Sequence, residues 1–63
     1  MLPIVASIVS SLIANNLPRM AQAVVDKGLD YVEEKTGVKL EPDMSAEKIA
    51  ELKLAAFKHE EFQ

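Results

Sequence analysis

Apolar residues recur along this chain with helical spacing in three separate blocks. In the first, Ile4, Val5, Ile8, Val9, Leu12 and Ile13 come in pairs four apart, which makes a broad apolar stripe on one side of a helix. The other side is small and weakly polar: Ala6, Ser7, Ser10, Ser11 and Ala14. Within it Ala6, Ser10 and Ala14 form a small-xxx-small row that lets two helices approach closely. Pro3 suits the first turn, where its missing N–H is harmless. A helix over about 3–15 follows. Asn15-Asn16-Leu17-Pro18 then interrupts the pattern, because Pro18 disfavours the α conformation at Leu17 and Asn16 can cap a new helix. A tight turn here gives a helical hairpin; a kink gives one bent rod.

The second block, about 18–36, places Met20, Ala21, Val24, Val25, Leu29 and Val32 on one face, with Gly28 beside them and Tyr31 at the edge. Gly28 inside a helix costs about 1 kcal/mol relative to Ala. A close helix crossing offsets that cost; otherwise it is a tolerated flaw. Gly37 is a good C-terminal stop, and Val38 is placed to fold back on Val32 as in a Schellman motif. Residues 38–45 read as a loop around Pro42-Asp43. Ser45 then reads as an N-cap, with Met44 and Ile49 as a hydrophobic staple across it.

The third block, about 46–61, has two apolar strips. Ile49, Leu52 and Ala56 form one; Ala50, Leu54 and Phe57 form the other, with Lys53 between them. Two strips imply two neighbours, so this helix bridges layers or chains. The end of the chain carries no Gly, Pro or basic last turn, and Glu60 and Glu61 oppose the helix dipole there. The sequence therefore predicts either a frayed end or a natural chain that continues beyond Gln63. The expected fold is all-α: one small module of two to three amphipathic helices, a hairpin or kinked rod that assembles into an oligomeric bundle.

Composition narrows the function. With 63 residues and no cysteine, the chain has no disulfide framework or thiolate metal site. His59 alone cannot build a zinc site and reads as a solvated helical residue. Association with a second chain is the remaining stabiliser. A net charge of −3 with interspersed signs argues against nucleic acid and against strong attraction to an anionic membrane. No nucleophile–base pair, phosphate loop or metal cluster is present. The expectation is a non-enzymatic module with no cofactor and no small-molecule substrate.

All charged side chains lie at or beyond Arg19, so residues 1–17 form one uncharged end that needs burial. A core-facing helix is the first reading. A membrane-inserted helix meets a length problem, since a span needs roughly 20 apolar residues. An interfacial helix lacks the usual Lys and Arg on its polar face. A signal peptide lacks a basic start, and Ala21-Gln22-Ala23 lies beyond Pro18 and Arg19. The predicted contact residues are Ile4, Val5, Ile8, Val9, Leu12, Ile13, Val24, Leu29, Ile49, Leu52 and Phe57.

The run from Asn15 to Phe62, above all VDKGLDYVEEKTGVKLEPDMS and KHEEF, resembles the N-terminal region of phage and gene-transfer-agent holins of the three-transmembrane type. The resemblance covers nearly all of the chain and involves helix and turn residues without a catalytic signature. Holins accumulate in the inner membrane, oligomerise and open lesions that release the lysis enzyme. The family's spans would lie downstream of residue 63. For these residues the resemblance implies an accessory helical region that assembles with itself or other phage proteins, on or beside a membrane. It implies the bacterial host cytoplasm or inner-membrane face. A phage setting also admits a virion component, such as a tail, neck or ejection-apparatus piece packed by helix burial.

Overall fold

The computed structural model describes residues 4–63. The predicted helix start at Pro3 lies outside the described residues. The chain is all-helical: α1 (Ile4–Ala14), α2 (Pro18–Lys27), α3 (Leu29–Thr36) and α4 (Ala46–Lys58), followed by a 3₁₀ turn at Glu60–Phe62.

The first break is a turn, so the rod is excluded. α1 packs along α2, and the longest dimension is 34 Å. One rod over residues 4–36 would span about 50 Å at 1.5 Å per residue. Asn16 does not cap α2; it ends α1 in the left-handed conformation, at φ 64°. Two hydrogen bonds complete a Schellman motif there: Leu17 N–H donates to the Leu12 carbonyl at 2.8 Å and Asn16 N–H to Ile13 at 3.1 Å. Leu17 and Leu12 both lie in the core, which supplies the apolar contact that accompanies the motif. Pro18 then opens α2 at its first position, and Leu17 stands at the N-cap without a side-chain bond.

The second predicted helix is two helices. Gly28 takes φ 102°, ψ 158°, a region open in practice only to glycine, and its N–H closes α2 on the Val24 carbonyl. A Cβ at Gly28 would meet nothing within 4 Å. There is accordingly no close helix crossing at Gly28; the residue is a hinge that turns α3 away from α2. Gly28→Ala is therefore expected to cost about 1–3 kcal/mol through the backbone alone. Because Ala favours a continuous helix, far-UV circular dichroism should show equal or higher helicity together with a lower melting temperature. Unchanged stability would contradict the hinge.

Gly37 ends α3 in the left-handed conformation, donating to the Glu33 carbonyl at 2.8 Å. That single bond is the simpler αL cap and not the expected Schellman motif. Val38 N–H goes instead to the Thr36 hydroxyl at 3.2 Å. In the loop, Leu40 is buried and its N–H donates to the Glu33 carboxylate at 2.8 Å. Ser45 caps α4 as expected, accepting from Lys48 N–H, while Met44 and Ile49 both pack on the core. α4 ends at Lys58, short of the predicted 61. His59 leaves the helix in an extended conformation, and the 3₁₀ turn folds back against α2 and α4.

The core joins Ile8 and Leu12 of α1, Leu17, the α2 residues Met20, Ala21 and Val24, Val32, Leu40, the α4 residues Ile49, Leu52 and Ala56, and Phe62. No polar or charged side chain is buried among the described residues.

Candidate interaction surface

Of the predicted contact residues, Ile8, Leu12, Val24, Ile49 and Leu52 are buried within the chain itself. Ile8 and Leu12 therefore organise this fold and are not offered to a partner. Val9 and Leu29 are half-buried against the same core. Only Ile4, Val5, Ile13 and Phe57 stand exposed. Leu17, Leu40 and Phe62, all in the core, were not among the predicted contact residues. Their one sequence signal is a large apolar side chain set in a polar connector.

Among the described residues two apolar faces remain unpartnered. The first is on α1, where Ile13 stands exposed beside Ala6, Ser10 and Ala14, while Ile4 and Val5, on the stripe of Ile8 and Leu12, stand exposed at the start of the helix. The small-residue row thus faces outward and supports no crossing among the described residues. No charged group lies on this helix. The second is the strip Ala50, Leu54 and Phe57 on α4, with Phe57 77% exposed. The expectation of two neighbours for this helix divides accordingly: Ile49, Leu52, Ala55 and Ala56 face the core, and the other strip faces outward.

Phe57 borders an open groove of about 300 Å³ whose wall includes Leu17, Lys53, Ala56 and Phe62. A second groove, of about 370 Å³, runs between Thr36–Val38 and Leu54, Ala55, Lys58 and His59. Neither gathers convergent catalytic groups. Among the described residues no set of three or more His, Asp or Glu is placed to hold a metal ion.

One polar contact ties distant parts together. Tyr31 on α3 donates its hydroxyl proton to the Glu61 carboxylate at 2.7 Å, across thirty positions. The Lys35 ammonium sits 5.7 Å from the same ring's centre. The hydrogen bond to Glu61, then desolvation, then the carboxylate's charge all raise the Tyr31 hydroxyl above its ordinary value. A raised value means that this contribution is complete below the unfolded value of about 10 and is lost as pH rises through the folded one. Wild-type melting temperature is thus expected to fall more steeply above about pH 10 than that of Tyr31→Phe; parallel profiles would refute a stabilising role for the Tyr31–Glu61 hydrogen bond. On the loop side Lys48 holds the Glu41 carboxyl below its ordinary value through an exposed ion pair. That contribution is present above the unfolded glutamate value and lost as pH falls.

No family model matches this chain, and no curated protein and no solved structure matches it either. The likeness to holins rests on the quoted residues alone.

Proposed function

We propose that the chain is a non-enzymatic helical interaction module of a phage, of the kind found at the N-terminus of holin-type lysis proteins, and that it assembles through the outer face of α1. The observation that carries the reading is this helix's uncharged exterior with Ile4, Val5 and Ile13 exposed. Scattered apolar residues are ordinary on a surface, but a whole helical face without a charge calls for cover. Among the described residues no helix is long and apolar enough to cross a membrane. The reading therefore gives α1 a protein contact or a place at a membrane surface, not a span.

A second reading, a virion component packed by helix burial, is favoured by the α4 strip, which gives that helix a second side to fill. Fractionation of phage-infected cells separates the two. Recovery in washed membranes supports the lysis module, and recovery in purified particles supports the virion component. Protein found only as a free monomer in the soluble fraction contradicts both.

A further inference from the structure

Ala50, Leu54 and Phe57 are spaced four and then three apart, the spacing of a two-helix seam. The seam lies nearly opposite the buried side of α4, so none of the described residues fills it. Its flanks are charged in a particular order. Glu51 and Lys58 occupy the same flank one heptad apart, and Lys53 occupies the other. None of the three is in an ion pair; among the described residues that of Lys48 with Glu41 is the sole one.

Opposite charges at one flank position, seven residues apart, complement themselves when the helix is turned end for end. Parallel alignment sets Lys53 of one copy against Lys58 of the other, which is repulsive. We propose that α4 is a self-pairing surface through which two copies of this chain dock antiparallel, Leu54 of each against the partner's Phe57 and Glu51 of each beside the partner's Lys58. The proposal rests on reading the chain as an interaction module and uses a face separate from that of α1. A lipid surface is the poorer occupant, because Glu47 and Glu51 offset Lys53 and Lys58 around the strip and leave no basic face, and the chain carries a net −3.

At 1.5 Å per residue α4 is about 20 Å long. A seam of that length falls short of the roughly 800 Å² per partner of a standard interface. The pairing is therefore weak, with a dissociation constant on the order of 100 μM.

Sedimentation equilibrium of the full chain at low salt, from about 10 μM to 1 mM, spans that affinity. Wild type is expected to show a monomer–dimer equilibrium, and Leu54→Asp to abolish it with an unchanged circular dichroism spectrum, since Leu54 is exposed. Lys58→Glu and Glu51→Lys should each weaken the dimer by roughly tenfold, through two lost surface pairs. An equimolar mixture of those two variants should regain it, because each interchain contact then joins opposite charges.

A wild-type chain monomeric throughout overturns the proposal, as does tighter pairing in Lys58→Glu, which marks the parallel alignment. Loss of anionic-vesicle binding in Leu54→Asp, in a chain that does not dimerise, reassigns the strip to lipid and overturns it too. A dimer that survives Leu54→Asp and dissociates in Ile13→Asp overturns the α4 pairing while sustaining the α1 reading. The reverse pattern sustains the pairing and removes α1 as the assembling face.

Discussion

Phe62→Ala is expected to leave the chain largely unfolded at 25 °C. The ring is 3% exposed, belongs to the single core and meets His59 edge-on at 6.0 Å. Removing a buried phenylalanine costs about 3–5 kcal/mol. A domain below about 70–80 residues rarely draws more than about 3–5 kcal/mol in total from one core. Cost and total stability are then equal in size, and the folded population collapses. Phe57→Ala is the control. Its ring is 77% exposed, so the change is expected to stay within about 0.5 kcal/mol. Thermal melts of both variants, followed by circular dichroism, check the contrast. A cooperative Phe62→Ala transition close to that of wild type would mean that the 3₁₀ turn is ornament on a fold complete without it.

Leu12→Asp should be at least as severe. Leu12 and Ile8 are 0% exposed. The substitution forfeits about 1.5–3 kcal/mol of apolar burial and sets a carboxylate where no partner waits. The expected product at neutral pH is an unfolded chain, seen as loss of the helical spectrum. Loss of association in this variant, or in Ile8→Asp, then reports the fold and says nothing of an interface. Ile13, one position further along, is 58% exposed, and Ile13→Asp should keep the spectrum while altering any contact made by the outer face of α1. A folded Leu12→Asp chain would mean that α1 is not part of the core.

Periodicity and local start and stop signals carried much of the fold. The helical blocks, Pro18 as a helix start, Gly37 as a stop and the Ser45 cap were all legible, because each depends on neighbours within a few residues. The break at Gly28 was hidden for a physical reason. Val24, Leu29 and Val32 keep near-helical spacing across the hinge, so the pattern reads as continuous although the axis turns. Leu17 and Leu40 were missed because connectors have no period to reveal which way a side chain faces. Phe62 was missed because the dipole argument predicts fraying for a helix that runs on, whereas the chain leaves the helix at His59 and reaches the core by a 3₁₀ turn. On the surface, spacing found both strips of α4 but could not say which one the chain would keep for itself. On α1 it assigned Ile8 and Leu12 to assembly, since burial by one's own chain and by another chain leave the same stripe in a sequence.

The absence of any buried polar side chain from the described core has a thermal consequence. Attraction that comes from apolar surface leaving water is entropic near room temperature and weakens on cooling. The exposed Lys48–Glu41 pair is too well solvated to take its place. Stability of this kind follows a dome that is highest near about 10–20 °C. Warming and chilling should both loosen this small protein.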